Sequence, residues 1–200
     1  MAYELVIFDL GGVAVESESD RLIHQVAQVL GRSFDDIQRT VYDDGLLLPL
    51  ELGHIKPEAY YEGLKRKLKL PWTFEQFARA WNDILREKPE VARIMARLHK
   101  RHKLMALTNT NQLHIEYVRG FSSLALFDYW VASCEVGLRK PDPQIYLLAL
   151  SRAGVRPQAA VYIDDRPEFV AAGRGAGLTA IRFQSGQQLE EELRAVGLNV

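Results

Sequence analysis

The stretch VIFDLGGVAV, Val6–Val15, runs an unbroken apolar segment into a single carboxylate, Asp9, with two glycines, Gly11 and Gly12, just beyond Leu10. A short continuous apolar run that stops at a turn signal is the mark of a buried strand. The run begins at Leu5, and the strand it predicts extends back to Tyr3. Four more segments have the same character: Leu104–Asn109, Tyr129–Ser133, Ala160–Asp164 and Thr179–Phe183. Strands apolar on both faces belong to a parallel sheet covered on both sides. From Leu104 onward they alternate with helical stretches at Asn111–Arg119, Pro143–Ala153, Glu168–Ala176 and Gln187–Val196. The pattern predicts an α/β fold: a doubly wound, Rossmann-like parallel sheet of about five strands.

One interval breaks the rhythm. About 95 residues separate the first two strands, far more than one crossover needs. They read as helices with recognisable starts: Ser19 and Ser33 as N-caps, Pro57 in a first turn, and Thr73 with Gln76 three residues on as a capping box. The spacing predicts a helical cap domain over residues 16–87, inserted after strand one. Residues 1–15 and 88–200 form the α/β core domain. The connections near Ala14–Glu18 and Arg86–Pro89 are its expected hinges.

The bulk composition narrows the function classes. Apolar residues make up 48% and charged residues 26%, which is ordinary for a globular chain. A formal net charge of −1 lacks the basic excess that nucleic-acid binding draws on. No apolar run reaches the roughly 18–20 residues that span a membrane. The N-terminus has no basic start, and its apolar run is broken by Asp9, so no signal peptide is expected. The single cysteine, Cys134, allows no intrachain disulfide, which fits a cytoplasmic location.

Ligands in open α/β sheets bind beyond the carboxyl ends of the strands. Strand one ends in Asp9 and strand two in Thr108–Asn109. The segment after strand three carries Lys140, and strand four ends in Asp164–Asp165. One acid, one hydroxyl, one cation and an acid pair therefore converge on one edge. Acids brought together there repel, so a cation is expected among them. Hard oxygen donors suit Mg²⁺. Lys140 and the amides near Thr108–Asn109, at a helix N-terminus, suit phosphate oxygens. Asp9 is then placed to attack phosphorus as a covalent nucleophile.

The order FDLGGV (Phe8–Val13), LTNT (Leu107–Thr110), RKPD (Arg139–Asp142) and IDDR (Ile163–Arg166) resembles the four motifs of the haloacid dehalogenase-like hydrolases. The insertion after the first motif resembles that family's helical C1-type cap. ELGHIKPEAY, FARAW and TNTNQLH are similar to the family's bacterial phosphatases acting on α-D-glucose 1-phosphate. The resemblance implies a Mg²⁺-dependent phosphatase acting on a small phosphorylated metabolite, a sugar phosphate in particular, through an aspartyl-phosphate on Asp9. It implies that Asp9, Thr108 and Lys140 are catalytic, and that Thr108, Asn109 and Lys140 hold phosphate. It also implies that Asp9, the Gly11 carbonyl, Asp165 and Asp164 surround the metal.

The sequence departs from the family at Gly11. The common phosphatase pattern has a second aspartate there, serving as general acid/base. Such a group is commonly worth about 10²–10⁴-fold in rate. Glu16 and Glu18, in the turn after strand one, are the candidates to replace it, Glu16 also as a substrate contact. Two other readings stand beside the phosphatase: a 2-haloacid dehalogenase-type hydrolase in which Asp9 attacks carbon without a metal, and a non-catalytic binder of a phosphorylated ligand.

Overall fold

The computed structural model describes residues 3–43 and 45–200. Five strands form one parallel sheet: β1 (Leu5–Phe8), β4 (Lys103–Thr108), β5 (Tyr129–Ala132), β6 (Ala160–Asp164) and β7 (Thr179–Arg182). Their spatial order is β5-β4-β1-β6-β7. The chain winds outward from β1 in one direction through β4 and β5, then returns to build β6 and β7 on the other side. The order reverses between β1 and β6, the crevice where such sheets bind ligands.

Register sets what stands in that crevice. Phe8 pairs with Ile163 and with Ala106. Asp9 therefore emerges level with Asp164, one strand away.

Each central strand divides its side chains between two cores, because successive residues point to opposite faces. Val6 and Phe8 join one cluster with Ala106, Val161 and Ile163; Leu5 and Ile7 join the other with Met105, Leu107 and Tyr162. Helices α6 (Pro89–Leu98), α7 (Gln112–Val118) and α11 (Gly186–Ala195) cover the first face. A single turn, α8 (Ser133–Val136), follows β5, and the second face is covered by α9 (Pro143–Ala153) and α10 (Pro167–Gly175).

Between β1 and α6 lie α1 (Ser19–Leu30), α2 (Phe34–Tyr42), α3 (Leu47–Glu51), α4 (Pro57–Leu68) and α5 (Phe74–Asn82). Ser33 caps α2 by accepting from Asp36 N–H, and Thr73 with Gln76 closes a full capping box on α5. Pro57 opens α4. Aromatic residues glue the group together: Tyr60, Phe77 and Trp81 have ring centroids 5.3–6.3 Å apart.

Three local readings of the sequence change. Ser19 is the first helical residue rather than the cap; Glu18 precedes it and caps nothing with its side chain. The first strand begins at Leu5, not Tyr3. The two stretches read as hinges overlap short strands, β2 (Val15–Ser17) and β3 (Leu85–Glu87), paired antiparallel. Three residues are too few to show a period, so that ribbon leaves no pattern in the sequence. Among the described residues, no helix is long and apolar enough to cross a membrane.

Candidate active site

Three acids and a lysine meet at the reversal in strand order. Asp9 is buried just past β1. Its Oδ1 accepts from the Leu10 N–H at 2.7 Å, and its Oδ2 lies 2.9 Å from Lys140 Nζ. Lys140 is 1% exposed and reaches Asp164 Oδ2 at 2.6 Å. The Tyr162 hydroxyl donates to the same Asp164 oxygen, and Arg166 N–H donates to Asp164 Oδ1 at 2.9 Å. Both Asp164 oxygens are thus engaged, and Lys140 sits between two carboxylates. Burial pushes the Asp9 carboxyl up to about 7; Lys140 opposes that rise and Asp164 adds to it.

Asp165 differs from its neighbour. It is half-buried, its Oδ1 is shut from solvent, and that oxygen has no hydrogen-bond partner among the described residues. Burial raises its carboxyl above the usual range, and repulsion from Asp164 adds to the rise. A buried carboxylate oxygen without a partner is costly, so this one is suited to a cation or a water. Ligand oxygens of Asp9, Asp164 and Asp165 all lie within 4.8 Å of one another. An all-oxygen, anionic donor set of this kind fits Mg²⁺.

The glycines make the approach possible. A Cβ built on Gly12 would overlap the Asp165 carboxylate, and Gly12 has φ +80°, where glycine is favoured. Lys88 Nζ donates to the Gly12 carbonyl at 2.7 Å, tying the turn to the segment after β3. Gly11 is the opposite case, because a Cβ there would meet nothing within 4 Å.

On the other side of β1, Thr108 closes β4 and is buried. The Asn109 side chain is spent on the main chain of Lys140: its Nδ2 donates to the Lys140 carbonyl at 2.9 Å and its Oδ1 accepts from Lys140 N–H at 2.8 Å. Asn109 therefore fixes where Lys140 begins its reach toward the acids. Asn111 caps α7, its Oδ1 accepting from His114 N–H at 3.2 Å and from Trp81 Nε1 at 3.4 Å.

A cavity of about 150 Å³ opens beside these residues, lined in part by Gly11, Val15, Ser17, Thr108, Asn109 and His114. The residues proposed from sequence to replace the missing acid do not line it. Glu16 is exposed and alternates with Val15 and Ser17, which do line it, so its side chain takes the opposite direction. Glu18 pairs with Arg21 at the surface, 3.4 Å away. His114 does line the cavity, and the sequence reading gave it no role. Its signals in the sequence are a place in the first turn of the helix that follows Thr108 and its position at the end of TNTNQLH.

The haloacid dehalogenase-like hydrolase family profile matches residues 3–177. A phosphorylated carbohydrates phosphatase of Thermotoga maritima is 31% identical over 187 residues, covering 89% of this chain and 83% of that protein. A D-ribitol-5-phosphate phosphatase of Bacteroides thetaiotaomicron is 24% identical, covering 96% of this chain and 97% of the relative. A HAD family enzyme of the same organism, solved with magnesium and inorganic phosphate, superposes with a TM-score of 0.82 at 24% identity. That match covers 92% of this chain and 96% of the solved one. This chain belongs to the haloacid dehalogenase-like hydrolases and is an enzyme of that class.

Proposed function

We propose that the protein is a Mg²⁺-dependent phosphatase that hydrolyses a small phosphorylated metabolite, a sugar phosphate in particular, through an aspartyl-phosphate on Asp9. The observation that carries this reading is the unclaimed, buried Asp165 Oδ1 beside two carboxylates and one lysine. The Thermotoga relative's action on phosphorylated carbohydrates supports the substrate class.

Asp9 would act as nucleophile, already oriented by Leu10 N–H and Lys140. Lys140 offsets charge on the transferring group and on Asp9 together. Thr108 and the Asn109 main chain would hold the phosphate, while the Asn109 side chain holds Lys140 in place. Asp9, Asp165 and the Gly11 carbonyl would hold Mg²⁺, with Asp164 supporting Lys140 from behind. When bound, the metal neutralises developing charge on phosphoryl oxygens.

Residues 16–87 would serve as a cap that excludes water and selects the leaving group. The lone cysteine fits a cytoplasmic enzyme. A metal-free attack on carbon gives Asp165 Oδ1 no partner, which disfavours the dehalogenase reading.

The test is a screen of sugar phosphates, nucleotides and acyl phosphates with and without Mg²⁺, with Asp9→Asn as the blank. Phosphate release that needs Mg²⁺ and vanishes in Asp9→Asn is the expected result. A folded protein that releases none across the panel, or that releases halide from a 2-haloacid in EDTA, would overturn the proposal.

A further inference from the structure

Aspartyl-phosphate hydrolysis needs a base for the attacking water, and Gly11 supplies none. The only imidazole lining the cavity beside Gly11, among the described residues, is that of His114. Its orientation is fixed. Nε2 lies 2.9 Å from the Trp81 carbonyl, an atom that can only accept, so Nε2 carries the hydrogen. The ring stacks on Trp81, with centroids 5.4 Å apart and planes 24° apart. Nδ1 is left with a lone pair and no hydrogen-bond partner among the described residues.

We propose that His114 is the general base of this enzyme, taking over through Nδ1 the task for which Gly11 has no side chain. The inference rests on the reading of Asp9 as the phosphoryl acceptor. In the step it assists, a water oxygen bonds to phosphorus and the bond between phosphorus and the Asp9 oxygen breaks. The electron pair of that bond returns to Asp9 as carboxylate. One water proton passes to Nδ1 and the other stays on the phosphate; the imidazolium then releases its proton to solvent. Burial lowers the His114 ring to about 4, so it is neutral at pH 7.

His114→Gln tests this, because a glutamine amide keeps a donor for the Trp81 carbonyl but has no basic nitrogen to take a proton at neutral pH. The expected loss in kcat is about 100-fold or more, with acid-stable-trapped phosphoenzyme building up before the steady state. Adding Gly11→Asp should restore most of that loss, since Gly11 has an ordinary φ and open space at its Cβ. A His114→Gln enzyme within threefold of wild-type kcat, one changed only in KM, or a double variant no faster than His114→Gln would each overturn the assignment. Wild-type protein inactive on all phosphate esters would overturn the phosphatase reading along with it. An active wild type with any of those three results overturns the base alone.

Discussion

At the scale of single residues, Lys140 has the largest leverage. It is buried against two carboxylates, and breaking a buried ion pair by removing one partner costs about 3–5 kcal/mol. Lys140→Met should lower unfolding free energy by about that much, measured in urea at pH 7.5. A loss under about 1 kcal/mol would mean the acids had found another counter-charge. His114 makes a different prediction, through pH. Its folded pKa of about 4 lies below the ordinary 6.5. Between those values the unfolded chain binds the proton more tightly. The stability His114 contributes is therefore full above pH 6.5 and is lost as pH falls toward 4. The linkage is worth roughly 3 kcal/mol across that window. Subtracting a His114→Gln stability curve from the wild-type curve removes the opposing effect of Asp9, whose pKa is raised. The difference should favour wild type by less and less as pH drops from 6.5 to 4; a flat difference would contradict the lowered pKa. Burial likewise pushes the Cys134 thiol up to about 11. At pH 8 about one thiol in a thousand is thiolate, so iodoacetamide labelling should be far slower than for a free thiol and should speed up with pH.

At the scale of elements, two glycines of α10 separate packing from propensity. A Cβ on Gly173 would stand 2.6 Å from the Tyr162 ring, whereas one on Gly175 would meet nothing within 4 Å. Gly173→Ala should cost about 1–3 kcal/mol by overpacking, and Gly175→Ala should be neutral or stabilising by up to about 1 kcal/mol. Thermal melts of the two variants check this, and equal shifts would refute it. The same pair shows what the sequence discloses. That the helical stretch ending at Ala176 packs close to a strand is legible from its place before Thr179. Which of its glycines carries the contact is not, because the partner ring belongs to β6. Strand β6 and helix α9 are legible to the residue, each bounded by punctuation: an acid pair at one end of β6, and Pro143 and Gly154 around α9. The β2–β3 ribbon is invisible, since its pairing joins Glu16 to Arg86 across the whole insertion. The acids could be gathered from strand ends, and Lys140 from the segment that follows strand three. His114 could not, because what defines it is Trp81, which meets it only after α5 has folded back onto α7.

For the whole molecule, the question is what holds residues 16–87 against the sheet domain. Glu51 and Arg139 form an ion pair across the two parts, at 3.1 Å. Burial still raises the Glu51 carboxyl above its usual range despite that arginine. The desolvation cost therefore outweighs the attraction, and a partly exposed pair of this kind is worth about 0–1 kcal/mol. Trp81 is a different kind of tie. It is 2% exposed, stacks on His114, donates to the Asn111 cap of α7 and packs on Tyr60 and Phe77. Removing a buried aromatic side chain costs about 3–5 kcal/mol, and here the cavity would open between the insertion and α7. Glu51→Gln should leave both the urea midpoint and KM close to wild type. Trp81→Ala should lower the midpoint sharply. At temperatures where it stays folded, it should raise KM and blunt discrimination among sugar phosphates, because the wall carrying His114 and helix α5 lose their shared contact. If Glu51→Gln proved the more damaging of the two, charge rather than apolar packing would hold the proposed cap in place, and salt would then loosen it.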